Sequence, residues 1–201
     1  MPETRGAQGV TNVLMVGVGG QGVVLASDIL SEAALRAGHD VKKSEIHGMS
    51  QRGGPVFSHV RFGPLVHSPT IPAGEADVIY ALERMEVLRW APYARPGGAV
   101  AYFGHEIMPA GVADYPQGID EEISRLFGEV VRIEDGEIKG RVSPKVKNSL
   151  LLGAIAPWLP LGAEHLLAAM EMLVPRGTFE ANREGFELGR AMAGERAHAA
   201  S

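Results

Sequence analysis

Cysteine is absent from this sequence of 201 residues, and its absence removes several kinds of chemistry. No disulfide can form, so the chain is compatible with a reducing compartment. Iron–sulfur clusters are normally held by cysteine thiolates. If the protein takes part in electron transfer through such clusters, a different chain must carry them.

An excess of positive charge is also missing. Lys and Arg number 19 against 24 Asp and Glu, which gives a net charge of −5 and argues against nucleic acid or an anionic membrane as the main partner. The longest apolar stretch, LLLGAIAPWLPLGA, is broken by Pro157 and Pro160 and is too short to span a bilayer. The opening MPETRGAQG lacks the apolar core of a signal peptide. We therefore expect a cytoplasmic protein.

Hydrophobic residues make up 45% of the chain, and glycine, with 26 residues, is abundant. Apolar runs typical of strands alternate with segments of helical periodicity. The strands are predicted at 12–16, 41–46, 55–62, 76–82, 99–103 and 129–133. The helices are predicted at 23–37, 83–93, 119–127, 145–156, 164–173 and 178–193.

This alternation predicts an α/β fold of three layers, in which a mostly parallel sheet carries helices on both faces in a Rossmann-like arrangement. The C-terminal third is helical. The length fits one domain, which we place at 10–195, with flexible ends at 1–9 and 196–201.

A glycine cluster, GVGGQG, follows the first predicted strand and opens the first predicted helix. Gly17, Gly19 and Gly22 satisfy the pattern G-x-G-x-x-G in the strand–turn–helix context that it requires. The free N–H groups at a helix start favour an anion. We therefore predict a ligand-binding turn that also includes Gly20 and Gln21. The alternative is that these glycines only let helix and strand pack closely.

The residues around this turn limit the kinds of nucleotide-binding protein that the sequence can represent. No Lys-Ser or Lys-Thr follows the glycines, which argues against a P-loop NTPase. Glu45 ends the second predicted strand, near the place where NAD enzymes keep the acid that binds ribose. A free-standing NAD-binding oxidoreductase therefore stays open, although no separate substrate domain is visible.

A second glycine-rich loop, HGMSQRGG at 47–54, follows the second predicted strand. Ligands of open α/β sheets bind at the carboxyl ends of strands, where both loops are expected. Ser50, Gln51 and Arg52 offer donors for a phosphate or carboxylate, and Arg52 offers a planar fork of them. His47 and Arg52 are the candidate catalytic residues. The alternative for this loop is a solvated surface turn.

The pairing of VGVGGQG with SEIHGMSQRGG resembles the gamma-type domain of 2-oxoacid:ferredoxin oxidoreductases, the pyruvate/ketoisovalerate oxidoreductase family. It is most similar to the small (beta) subunit of the indolepyruvate enzymes. The resemblance continues through HVRFG, SPTIPAGEADVIYALERMEVLR, YARPGG, KNSLLLGAIAPWLPL and VPRGTFEANREGFELG. It is weakest from 106 to 142.

The resemblance implies an enzyme subunit. These enzymes convert a 2-oxoacid and coenzyme A to an acyl-CoA and CO₂, and pass two electrons to ferredoxin. The resemblance implies that a large alpha subunit carries thiamine diphosphate, Mg²⁺ and the iron–sulfur clusters. Coenzyme A is a candidate ligand of this chain. We expect indolepyruvate or another aryl pyruvate as the 2-oxoacid, and an isolated chain without activity.

Other polar and apolar patterns have simpler interpretations. The histidines show no metal-ligand spacing, so no metal site is predicted. The charged run of Glu83, Arg84, Glu86 and Arg89 is interpreted as a solvated helix face. A third hypothesis is a non-enzymatic ligand-binding or assembly module. The apolar stripe from Leu166 to Leu173 would then dock a partner, although such stripes are more often core.

Overall fold

The structure is a computed structural model that describes residues 9–47, 55–108 and 114–199. Its strands are β1 Thr11–Val18, β2 Asp40–His47, β3 Pro55–Gly63, β4 Ala76–Ala81, β5 Ala94–Phe103 and β6 Glu129–Ile133. Its helices are α1 Val23–Arg36, α2 Arg84–Trp90, α3 Ile119–Leu126, α4 Asp135–Ile138, α5 Lys147–Ile155, α6 Ala163–Leu173 and α7 Phe179–Ala199.

The six strands form one sheet in the order β2-β3-β1-β4-β5-β6. β1, β4, β5 and β6 run parallel to one another, whereas β3 runs antiparallel to both β1 and β2. β2 therefore points the same way as β1. The predicted mostly parallel sheet is confirmed, and its one reversed strand results from the hairpin that joins β2 to β3.

Helices cover both faces of the sheet, as predicted. Along β1, Val13 and Met15 join the core beneath α1, α5, α6 and α7, whereas Leu14 and Val16 join the core beneath α2 and α3. β4, with the sequence ADVIYA, is buried along its whole length. Apart from Asp77, which pairs with Arg95, this strand is apolar, as expected of a strand that is covered on both sides.

The C-terminal third is helical, and its packing depends on two glycines. A Cβ at Gly153 of α5 would lie 1.9 Å from the carbonyl oxygen of Phe186 in α7. A Cβ at Gly189 of α7 would lie 1.9 Å from the carbonyl oxygen of Leu150 in α5. The missing side chains therefore let the two helices touch backbone to backbone.

Two expectations need correction. Glu83 and Glu86 do not form a solvated face, because both are buried, at 2% and 4% exposure. α7 also continues to Ala199, beyond the predicted helix end at 193. None of the helices in the described ranges combines the length and apolar character needed to cross a membrane.

Candidate functional site

The two glycine-rich loops leave the sheet at the same edge. Val18, at the end of β1, pairs with Pro55, and His47, at the end of β2, pairs with Val56. The strand ends that flank residues 17–22 and 47–54 are therefore neighbours at the carboxyl end of the parallel strands. Residues 48–54 themselves lie outside the described part of the chain.

A crevice opens at this edge between β1 and β4. The helix after β1 packs on one face of the sheet, whereas the helix after β4 packs on the other. Connections that leave in opposite directions separate at such a switch point, where ligands of open α/β sheets bind. The glycine turn thus borders the crevice in which ligands of such sheets bind.

A cavity of about 360 Å³ occupies the crevice. Its walls come from the glycine turn, from the ends of β4 and β5, and from the start of α5. They consist of Gly20, Gln21, Gly22, Leu82, Phe103, His105, Pro144, Lys145, Lys147 and Asn148. Among these described residues are two lysines and no carboxylate, so the site favours an anion.

The glycine turn is held by a side chain of its own. The Val18 N–H donates to Gln21 Oε1 at 2.6 Å, and Gln21 Nε2 donates to the carbonyl oxygen of Leu82 at 3.2 Å. Gln21 therefore fastens the turn to the end of β4. Gly22 adopts φ +86° and begins α1, whose first N–H groups lack partners inside the helix.

Gly17 and Gly22 are required for close approach. A Cβ at Gly17 would lie 2.8 Å from Gln21 Oε1, and a Cβ at Gly22 would lie 2.9 Å from Asn148 Nδ2. The first contact lies inside the turn, and the second brings the turn against α5. Close packing, the alternative interpretation of the glycines, thus applies to Gly17, whereas Gly22 both packs and lines the cavity.

Two lysines, Lys145 and Lys147, reach the cavity from the chain around the start of α5. Ser143 accepts from the Lys145 N–H at 3.3 Å and so begins a turn of 3-10 helix over Pro144–Val146, directly before α5. Ser143 is therefore the N-cap of this turn, and Pro144 is its first residue. The Tyr80 hydroxyl donates to the carbonyl oxygen of Asn148 at 3.1 Å and ties this start to β4.

Lys147 is fixed at the wall of the cavity. Its Nζ lies 2.5 Å from Asp135 Oδ1 and 5.3 Å from the centre of the Phe103 ring. His105 Nδ1 is 3.8 Å from the other oxygen of Asp135. Asp135 thus pairs with Lys147 and lies near His105 at the same wall, while Lys145 is exposed at the mouth of the cavity.

The structure brings together some of the predicted site residues. Gly20, Gln21 and Gly22 line the cavity, whereas Gly17 lies beneath the turn and Gly19 is in the turn but not in the lining. His47 ends β2 at the correct edge. The side chain of His47 and the whole of Ser50, Gln51 and Arg52 are outside the described residues, so their roles stay predictions.

Sequence reasoning missed the contributions of β5 and α5. The sequence gives His105 no metal-ligand spacing, and it predicts only a helix start at Lys145, Lys147 and Asn148. The available signal was the polar pair Lys147-Asn148, placed directly before the apolar run SLLLGAIA. It could not be connected to the glycine turn, because more than 120 residues separate the two in the chain.

The order of the strands does not support an NAD site that uses Glu45. In a dinucleotide-binding sheet, the strand with the ribose-binding acid lies next to the glycine strand. Here β3 lies between β1 and β2, so Glu45 is two strands away from the turn. Glu45 is also paired with Lys43, which contacts Asp28 as well.

Comparison with known proteins agrees with this architecture. The sequence pattern of the pyruvate ferredoxin/flavodoxin oxidoreductase family matches residues 12–192. The chain is 37% identical over 194 residues to indolepyruvate oxidoreductase subunit IorB of Pyrococcus horikoshii, with 89% of this chain and 93% of the relative covered. It is 38% identical over 189 residues to the subunit of the same name from Thermococcus kodakarensis, again covering 89% and 93%.

A solved structure shares the fold. The gamma subunit of a keto/oxoacid ferredoxin oxidoreductase from Geobacter sulfurreducens PCA superimposes with a TM-score of 0.71 at 22% identity, and 94% of this chain and 98% of that chain are covered. The comparison with this subunit extends over both sequences almost from end to end.

Proposed function

The chain belongs to the pyruvate ferredoxin/flavodoxin oxidoreductase family, and from this membership we propose that it is the small subunit of an indolepyruvate-type 2-oxoacid:ferredoxin oxidoreductase. Such an enzyme decarboxylates a 2-oxoacid oxidatively, forms an acyl-CoA and CO₂, and passes two electrons to ferredoxin. The observation that carries the proposal is the near full-length match, at 37% and 38% identity, to two subunits of indolepyruvate oxidoreductases.

The proposed division of labour follows from composition. A chain without cysteine offers no thiolate for an iron–sulfur cluster. We propose that a large alpha subunit carries the clusters together with thiamine diphosphate and Mg²⁺, and that ferredoxin meets the complex there. Bound there, thiamine diphosphate would supply the chemistry of the decarboxylation. The residues of this chain would instead bind and orient an anionic part of the reactants.

The cavity at the switch point is the proposed place for that anion. Lys145 and Lys147 supply positive charge, Asn148 supplies an amide, and the turn at Gly20–Gly22 opens a helix. A phosphate of coenzyme A or the carboxylate of a 2-oxoacid has the charge that such a site stabilises. Because the loop 47–54 starts and ends at the same edge, we propose that Ser50, Gln51 and Arg52 complete the site and that His47 acts beside them.

The test is reconstitution. The chain is co-expressed with a large thiamine-dependent subunit, and the reduction of methyl viologen is measured without oxygen in the presence of coenzyme A and indolepyruvate, phenylpyruvate or pyruvate. We expect the two chains to co-purify and only the complex to reduce the dye, fastest with an aryl pyruvate. An isolated chain that turns over unaided would contradict the proposal, as would a large subunit that is fully active alone.

A further inference from the structure

A second cavity, of about 240 Å³, adjoins the first and is not used by the function proposed above. It lies beside α4 and the segment that leads to α5, and most of its exposed lining is apolar. Its apolar wall is built mainly from Ile138, Val142 and Pro144. We call it the apolar compartment, and the cavity at the glycine turn the polar compartment.

The two compartments share a wall. Pro144 and Lys147 line both of them. Lys147 is held between them by Asp135, at 2.5 Å, and over the ring of Phe103. A ligand that fills both would therefore pass along a fixed lysine, with one end near the glycine turn and the other against Val142.

The charge of this region is opposite to that of the whole chain. The segment 139–147, KGRVSPKVK, contains four basic residues and no acid, although the chain carries a net charge of −5. Among the described residues that line the two compartments, the one carboxylate is that of Asp135, which pairs with Lys147, so Lys139 and Lys145 leave the lining with an excess of positive charge. Lys139 is at the apolar compartment and Lys145 is at the polar one. The positive charge therefore favours a ligand with an anionic group. The apolar lining of the second cavity favours an apolar group on the same ligand.

We propose that this chain binds an amphipathic organic acid across the two compartments, with its carboxylate at Lys145 and Lys147 and its aryl or alkyl group against Val142 and Ile138. Small-molecule sites commonly enclose about 300–1,000 Å³ and combine apolar walls with a few polar groups. The two compartments together have this character. Resting on the proposed function, the inference gives the small subunit a share in selecting the side chain of the 2-oxoacid.

The experiment is calorimetric titration of the full-length isolated chain with three probes: indole-3-acetate, acetate and 3-methylindole. The first has both the ring and the carboxylate, and each of the others has one of them. We expect indole-3-acetate to bind at least tenfold more tightly than either. Equal affinity for indole-3-acetate and acetate, or no measurable binding of indole-3-acetate, would overturn the inference without the use of any variant.

Two variants locate the ligand. Val142→Phe fills the apolar compartment and should reduce the affinity for indole-3-acetate to that for acetate. Lys145→Glu reverses an exposed charge at the polar compartment and should weaken both anions at least tenfold. Arg176→Glu is the matched control, because Arg176 is exposed in the turn between α6 and α7, outside both cavities. Unchanged binding of indole-3-acetate in both test variants would place the ligand elsewhere and refute the inference.

The result can be separated from the test of the proposed function. A reconstituted complex that reduces methyl viologen, together with an isolated chain that does not discriminate between the probes, would leave the proposed function intact and overturn this inference. Tight binding of indole-3-acetate by a chain that never joins an active complex would do the reverse.

Discussion

At the scale of single residues, the largest difference from the sequence prediction is the burial of Glu83. The sequence places it in a run of charges that is typical of a solvated helix face. In the fold it caps α2 by accepting from the Glu86 N–H at 3.0 Å, and it accepts from the Tyr115 hydroxyl at 2.6 Å. A carboxylate can be buried when donors meet it, and here the second donor comes from a distant segment.

His59 is a buried histidine whose folded-state protonation should affect stability. It is 3% exposed, and its Nδ1 accepts from the Ile71 N–H at 3.1 Å. Burial, assisted by the nearby Arg61, lowers the pKa of His59 below the ordinary 6.5. As the pH falls through 6.5, the unfolded chain gains a proton that the folded chain resists, so the stability contributed by neutral His59 is progressively lost.

We predict that His59→Asn removes this pH dependence, because the asparagine Oδ1 can still accept from the Ile71 N–H. The measurement is urea unfolding at about pH 7.5 and about pH 5.5. Between these values, the free energy of unfolding of the unmodified protein should fall more than that of the variant. Equal changes in the two proteins would show that His59 does not resist protonation in the fold.

At the scale of the elements, the turn between β1 and α1 gives a matched pair of glycines. Gly20 and Gly22 have φ of +95° and +86°, which other residues adopt at a cost of roughly 1–2 kcal/mol. A Cβ at Gly20 would meet nothing within 4 Å, whereas one at Gly22 would meet Asn148. The two positions therefore separate backbone strain from the contact between this turn and α5.

We predict that Gly20→Ala lowers the free energy of unfolding by the strain alone and that Gly22→Ala lowers it further. Since Asn148 must move to admit the new methyl group, Gly22→Ala should also reduce the dye-reduction activity of the reconstituted complex more than Gly20→Ala does. Chemical denaturation and the viologen assay measure the two effects. Equal losses of stability and of activity in both variants would mean that the contact between Gly22 and Asn148 affects neither.

The crossing of α5 and α7 gives a second element-scale prediction. Gly153→Ala forces a methyl group into the backbone of α7, and overpacking of this kind typically costs about 1–3 kcal/mol. The control is Gly194→Ala in α7, where a Cβ would meet nothing within 4 Å. It should stabilise the protein by up to about 1 kcal/mol, through helix propensity alone.

The free energies of unfolding of the two alanine variants, measured by thermal and urea unfolding, should therefore change in opposite directions. If Gly153→Ala were as stable as the unmodified protein, the two helices would not need their backbone contact, and the close approach of α5 to α7 would be wrong.

At the scale of the whole molecule, the two hydrophobic cores share one sheet. Alternate residues of β1, β4 and β5 point into opposite cores, as Met15 and Val16 do. Neither core can lose its strands without exposing the other. We therefore predict that 10–195 unfolds in a single cooperative transition, as a single domain requires.

Each core contains a natural reporter of this transition. Trp158 packs against the core beneath α5 and α7, and Trp90 packs against the core beneath α2. Trp90→Phe and Trp158→Phe each leave one tryptophan. In each variant, the urea midpoint of unfolding measured by fluorescence should equal the midpoint measured by far-UV circular dichroism. A core that unfolds at a lower urea concentration than the rest would contradict the prediction of one domain.

The sequence by itself determined the classes of structure and chemistry that depend on local pattern. The absence of cysteine excludes thiolate-held clusters, the apolar runs fix the strands and helices, and the glycines fix the turn after β1. These features depend on composition or on neighbours a few residues apart, so no tertiary information is needed to read them. The double glycine motif also carried the family resemblance.

Only the tertiary structure decided which distant residues meet. It inserted β3 between β1 and β2, which separates Glu45 from the glycine turn, and it brought Lys145 and Lys147 to that turn. Strand order and helix packing are set by the burial of apolar surface over the whole chain, and local periodicity does not encode them. The cavity belongs to this second level, because its walls come from four separate parts of the sequence.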